Sequence, residues 1–373
     1  PAVPIVAGSA ASLAWPGVRL EVAAPTYEER IEIWARELPS LVSRDSAEAL
    51  ASRFRLYTDE IRRAAAAADA AALVHGASAP SDDDVFAAAR AQSAPVLSDL
   101  ATKVPQFHRW DDLVLPPDTI EPLRELCASV EHRHTVLEEW GFSRKLSTGK
   151  GVIAMFVGES GTGKTMAADV AGGHLGLDLY KVDLSGIVSK YIGETEKNLR
   201  SVFAAAQRSN AILFFDEADA LFGKRSEVKD AHDRYANIET AYLLQRMEQY
   251  EGMVILATNL RMNIDDAFLR RMHFVIDFPM PDEAMRKRLW HGVLPDDLPL
   301  ASDVDFDFLA RAFRLSGGNI HNIALGAAFL AAEEGSKVGM RHFVRSVRRE
   351  YQKIGRMVTQ SEFGRYWPLL QDA

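Results

Sequence analysis

Cysteine is almost absent: Cys127 is the only one in 373 residues. No internal disulfide can form, and nothing calls for an oxidising compartment. Long apolar runs are missing too. The longest uncharged stretch, Pro1 to Val18, is interrupted by Gly, Ser and Pro and has no basic leader segment, which excludes a membrane-spanning helix there. Positive charge is in deficit, with 43 Lys and Arg against 52 Asp and Glu and a formal net charge of −9. A duplex binder needs a basic face, so nucleic acid is disfavoured as the main partner. These deficits predict a soluble, cytoplasmic protein with no membrane partner. The chain opens on Pro1 and not on Met, which leads us to expect residues upstream.

What remains is ordinary globular material, 47% hydrophobic and 25% charged, with length for two domains or a little more. Its centre is Gly158-Glu159-Ser160-Gly161-Thr162-Gly163-Lys164-Thr165, directly after the apolar run Val152 to Val157. A triphosphate packs several negative charges into a small volume. Backbone N–H groups can surround it only where side chains leave room, hence Gly158, Gly161 and Gly163. Around them, Ser160 and Thr162 complete the loop, Lys164 is placed for the β- and γ-phosphates, Thr165 for one Mg²⁺ position, and the following helix directs its positive end at the anion. ATP and Mg²⁺ are the expected cofactors.

From Val152 onward, short apolar strands (Val152 to Val157, Leu179 to Val182, Ile212 to Phe215, Val254 to Ala257) alternate with amphipathic helices. That pattern predicts an α/β fold with a doubly wound parallel sheet covered on both faces, and ligands at the carboxyl ends of its strands. Residues 111–281 form this domain. After Pro281 the character is helical only, giving a lid and tail over residues 282–373. Residues 95–110, with Pro95 and Pro105, read as a linker. His132-Arg133-His134 reads as a solvated helical face, because residues two apart diverge on a helix.

Residues 1–94 make sense beside the lid. Pro25, Arg30, Trp34, Leu38 and Pro39 correspond to Pro281, Arg286, Trp290, Leu294 and Pro295 at an offset of 256. After a three-residue insertion, Leu50-Ala51, Phe54-Arg55-Leu56 and Ile61 correspond to Leu309-Ala310, Phe313-Arg314-Leu315 and Ile320 at 259. This is an internal repeat. In it Pro4 to Ser9 takes the place of the strand ending in Asn259, Ser9 stands for Asn259, and Ala14-Trp15 for Arg270-Arg271. We therefore expect the end of a degenerate second module, a remnant of sheet plus a helical lid that has lost its chemistry.

Ile212 to Phe215 ends in Asp216-Glu217. Asp216 is placed to help hold Mg²⁺, and Glu217 to accept a proton from, or orient, the water attacking the γ-phosphate. A protein that only binds nucleotide needs the first and not the second. Asn259, at the next strand end, can hydrogen-bond that water or the γ-phosphate. Arg270-Arg271 lies at the far edge of the domain; arginines supplied in trans neutralise transition-state charge and contribute about 10³ to 10⁵ in rate. The corollary is a homo-oligomer.

In this order, the elements resemble the AAA+ ATPases, and within them the AAA clade of protein-remodelling motors, over about residues 106–355. The resemblance implies a P-loop doubly wound sheet with a C-terminal helical lid, preceded over residues 1–94 by the tail of a degenerate AAA-like module. It also implies hexameric rings with ATP between protomers, a protein client, and a pore loop at Lys190-Tyr191-Ile192-Gly193. There Tyr191 would grip an extended polypeptide, and Lys229 to Arg234 could be a second pore loop. More narrowly, Ala218 to Arg225 and His232 to Asn237 resemble bacterial AAA proteins found beside contractile injection systems. The lid departs from many AAA+ proteins, since Ser316 to Asn322 offers His321 or Asn322 where a sensing arginine often stands. Two alternatives to a motor stay open: an ATP-binding assembly scaffold with little turnover, and a DNA-associated loader.

Overall fold

The computed structural model describes residues 25–38, 43–93, 101–145, 150–184, 194–218, 231–259 and 266–370, without the side chains of 208, 231–239 and 266–267. Four helices come first: α1 (Tyr27–Glu37), α2 (Arg44–Arg53), α3 (Thr58–Val74) and α4 (Asp82–Ser93). They enclose a core of their own around Trp34, Leu50, Phe54, Ile61 and Ala68.

A six-stranded sheet follows in the order β1-β3-β4-β5-β2-β6, formed by β1 (Ala101–Val104), β2 (Val152–Val157), β3 (Leu179–Val182), β4 (Ile212–Phe215), β5 (Met253–Thr258) and β6 (Phe274–Asp277). All neighbours are parallel except β1, which runs antiparallel to β3. Every residue of β2, β4 and β5 is buried, which is why these strands are continuously apolar and not alternating. Helices α5 (Pro117–Glu131) and α6 (Lys164–Leu175) share a core with one face, while α7 (Glu194–Ser209) and α8 (Ala231–Gln249) share one with the other. This is the expected P-loop α/β fold. The segment read as a linker nevertheless contains β1. Its four residues lie half-buried or exposed at the sheet edge, so they lack the apolar signal of an interior strand. Helix α9 (Asp266–Leu269) and β6 lead to the C-terminal helices. Among the described residues no helix is long and apolar enough to cross a membrane.

The C-terminal helices α10 (Glu283–Gly292), α11 (Phe306–Ala312), α12 (Gly317–Glu333) and α13 (Met340–Lys353) repeat the order of α1 to α4, and α14 (Gln360–Phe363) closes the unit. Helices α3 and α12 have the same length and begin 259 residues apart. The likeness extends to hydrogen bonds. Arg30 donates from Nη1 to the Pro25 carbonyl (2.6 Å) and from Nε to that of Ala51 (3.1 Å). Arg286 donates from Nη1 to Pro281 (2.6 Å) and from Nε to Ala310 (2.8 Å). Each arginine thus closes a carbonyl in the last turn of the second helix, where the helix itself offers no donor, and pins the entry to the first. Trp34 and Trp290 are wholly buried at equivalent places.

The N-terminal helices lie against the starts of the central strands. Asn210, just before β4, donates Nδ2 to the Arg53 carbonyl (3.1 Å), and Glu251, just before β5, pairs with Arg55. Arg133 donates to the Glu251 carbonyl, and the Tyr27 and His134 rings stack at 3.5 Å. The solvated face expected at residues 132–134 is therefore half an interface: His132 is exposed, while Arg133 and His134 are partly covered by contacts that helical spacing does not reveal. Burial alone would raise the Glu251 pKa, but Arg55, Lys150 and Arg133 outweigh it and hold the carboxyl below its ordinary value.

Two outcomes are expected. Arg286→Ala orphans two carbonyls and costs about 3 kcal/mol in urea unfolding followed by tryptophan fluorescence, and Arg30→Ala a similar amount. A carboxylate with a depressed pKa contributes stability above its unfolded value, near 4.3, and loses it as the pH falls through the folded one. Glu251→Gln accordingly removes about 1 kcal/mol at neutral pH and flattens the acid limb of the stability profile.

Candidate functional site

The glycine loop is set by how tightly its first residue is held. The Gly158 N–H donates to the Thr258 carbonyl (3.1 Å), and Phe278 N–H to that of Val157 (2.7 Å). A Cβ on Gly158 would lie 2.3 Å from the Phe278 oxygen, so no other residue fits. Gly161 turns at φ +79°, and Gly163 caps α6 at φ +102° with no side-chain cap on the helix. The α6 N-terminus therefore presents uncapped backbone donors. Thr162 closes the loop from within, its hydroxyl donating to the Glu159 carbonyl (2.8 Å), while Ser160 and Thr165 are exposed.

Lys164 is 8% exposed and turned into the loop, where Nζ donates to the Gly158 (2.5 Å) and Glu159 (2.9 Å) carbonyls and to Asn259 Oδ1 (2.9 Å). The structure thus joins Lys164 and Asn259, 95 positions apart in sequence. It does so because β5 lies directly beside β2, and Asn259 follows Thr258 as Gly158 follows Val157.

On the other side of β5, β4 delivers Asp216 and Glu217. Asp216 Oδ1 accepts from the Glu217 N–H (3.0 Å), and Oδ2 accepts from Lys181 Nζ (2.6 Å). Glu217 has φ +51° and an exposed side chain. A left-handed conformation costs a non-glycine residue about 1 kcal/mol or more, and such strain gathers where a side chain must be aimed. Ala218 N–H then bonds the Ala257 carbonyl (2.9 Å), fixing the turn against β5.

Arg270 and Arg271 follow α9, both exposed. Their surroundings differ: Arg271 Nε pairs with Glu248 of α8 at 2.5 Å. Residues 190–193, expected as a pore loop, lie outside the described residues, as do 229 and 230 of the second. His321 and Asn322 are exposed. The lid meets the loop by another route, with Gly318 N–H donating to the Gly161 carbonyl (3.0 Å) and a Cβ on Gly161 lying 2.6 Å from Ser316 Oγ. Sequence reasoning missed this contact and Lys181. The signals were Ser316-Gly317-Gly318 at a helix start and a lysine inside an otherwise apolar strand.

These residues fit a nucleoside triphosphate and one divalent cation. A buried lysine faces a glycine loop at an uncapped helix start, with Asp216 and the Thr165 hydroxyl as hard oxygen donors for the metal. Residues 154–280 match the model of the ATPase family associated with various cellular activities. The chain carries an AAA ATPase domain. Residues 26–95 match a second model, the contractile injection system ATPase helical domain, in line with the narrower resemblance drawn from sequence.

Similar proteins include a 26S proteasome regulatory subunit 6B homolog of Dictyostelium discoideum, 36% identical over 48% of this chain and 46% of that protein. A katanin p60 ATPase-containing protein of Danio rerio is 32% identical over 62% of this chain and 48% of its own length. ATP-dependent zinc metalloprotease FtsH 3 of Sphaerobacter thermophilus is 35% identical over 48% and 38%. The chain spans about half the length of the curated relatives it matches.

Gly161→Ala places a methyl group in a left-handed turn and against Ser316. We expect ADP affinity, read by titration of a fluorescent analogue, to fall about tenfold.

Proposed function

We propose that the AAA domain binds ATP with Mg²⁺, hydrolyses it within a homo-oligomeric ring, and couples turnover to remodelling of a protein client. The observation that carries this reading is the convergence at three adjacent strand ends: Lys164 and Asn259 bonded at 2.9 Å, with Glu217 presented beside them in a left-handed turn. Bound ATP supplies the phosphoryl group that passes to water. Lys164 exchanges its carbonyl partners for phosphate oxygens, and backbone N–H groups of Gly161 and Gly163 complete the cradle. Asp216 and Thr165 hold Mg²⁺. Glu217 takes the proton of the attacking water while Asn259 orients it. A binding scaffold has no need of a strained glutamate at that position.

Arg270 is our candidate for the residue supplied to a neighbouring protomer, since Arg271 is engaged by Glu248 within its own chain. Support for a protein client comes from the relatives named as regulatory to the proteasome and as an ATP-dependent metalloprotease, and from Tyr191 and its neighbours in sequence. The match of residues 26–95 supports a setting beside a contractile injection system. We read that segment as the lid of a degenerate AAA-like module, kept for structure, because its helices and its Arg30 bonds mirror those of the functional lid.

ATP turnover against protein concentration tests this. Wild-type activity per protomer should rise with concentration, Glu217→Gln should lose it about a hundredfold or more while still binding nucleotide, and Arg270→Ala should lose about a thousandfold. Turnover that is absent, or that ignores both substitutions, would leave the assembly scaffold as the better reading.

A further inference from the structure

Strand β3 reads Leu179-Tyr180-Lys181-Val182, and only the lysine is not buried. Residues two apart on a strand share a face. Tyr180 and Val182 pack with Leu213 and Phe215 on one side of the sheet, Leu179 with Ile212 and Phe214 on the other. Lys181 and Asp216 each continue that second row by one step, with Lys181 paired in register to Phe214. The lysine therefore reaches diagonally to the end of β4, and Nζ meets Asp216 Oδ2 at 2.6 Å. The Glu217 N–H occupies Oδ1 at 3.0 Å. Both oxygens of the carboxylate assigned to the metal are thus engaged, one of them by a cation fixed to the neighbouring strand.

We propose that Lys181 is the resident counter-ion of Asp216. It balances the metal site when no nucleotide is bound, so that a free divalent cation is disfavoured and metal enters together with polyphosphate. The proposal rests on the reading of Asp216 as the metal-site carboxylate. The charges explain the selectivity. Without nucleotide, the Asp216 carboxylate is balanced by the Lys181 ammonium at 2.6 Å. A free dication approaching Asp216 then meets the Lys181 ammonium as a like charge. A dication already carried on a triphosphate arrives with net negative charge, which the same ammonium attracts. The side chains of the pair are 46% and 23% exposed, so the bond is weak enough to rearrange, and its effect is a few-fold bias and not an absolute block. Lys181 is a positioning residue; it acts on the metal through Asp216.

Mn²⁺ binding to the full chain, read by electron paramagnetic resonance of the free ion, tests this with and without ADP. Lys181→Met should bind Mn²⁺ alone about three- to fivefold more tightly than wild type and should lose affinity for ADP with Mn²⁺. Lys181→Arg, which keeps the charge, should stay near wild type in both. Unchanged or weaker nucleotide-free Mn²⁺ binding in a folded Lys181→Met protein overturns the proposal. Asp216→Asn separates the two readings, since it should abolish the gain in ADP affinity that Mn²⁺ gives. If that gain survives Asp216→Asn, the metal-site reading itself falls. If Asp216→Asn behaves as expected while Lys181→Met is silent, only the counter-ion role falls.

Discussion

The contact on which the rest of the molecule depends is the passage of Gly158 under Phe278. There β2 ends between β5 and β6, and the Gly158 and Phe278 N–H groups tie the three strands through the Thr258 and Val157 carbonyls. One junction thereby fixes three things. It aims the glycine loop, it sets Asn259 one residue past the shared end of β5, and it starts the path through Pro281 into the lid. Arg286 takes hold of that path at the Pro281 carbonyl. A side chain at 158 would part β2 from β6 and disturb all three together.

Around this junction the site is a balance of opposed charges held by neutral walls. Lys164 is buried against carbonyl dipoles, and the more exposed Lys181 is paired with a carboxylate, so neither cation depends on ligand for a partner. Glu217 is held differently, exposed and in strained backbone. The lid joins through backbone, Gly318 to Gly161, and so contacts the loop that faces phosphate without an arginine.

The N-terminal helices share with the C-terminal ones the features that hold such a helical unit together. Each set has a buried tryptophan and an arginine that closes carbonyls at two helix boundaries, and both features serve folding. Their position is also instructive. Arg53, Arg55 and their neighbours touch the residues just before β4 and β5, the ends opposite those that carry Asp216, Glu217 and Asn259. These helices thus contact the sheet from the side away from the candidate site.

The sequence alone determined whatever depends on neighbours in the chain. Apolar runs became β2, β3, β4 and β5, glycine spacing became the loop, and the ordered matches of the repeat became matching helices, since burial and backbone freedom are local demands. The tertiary structure decided whatever depends on which segments lie side by side. The edge strand β1 lacks an apolar signal because only half-buried pairing holds it. Arg133 owes its burial to Glu251, more than a hundred residues away. Lys181 acquires a role only because β3 pairs with β4 in one register, and the start of the lid helix at Gly318 meets Gly161, 157 positions away in sequence. Strand order and register place such side chains together, and neither is encoded within a few residues of the groups they join.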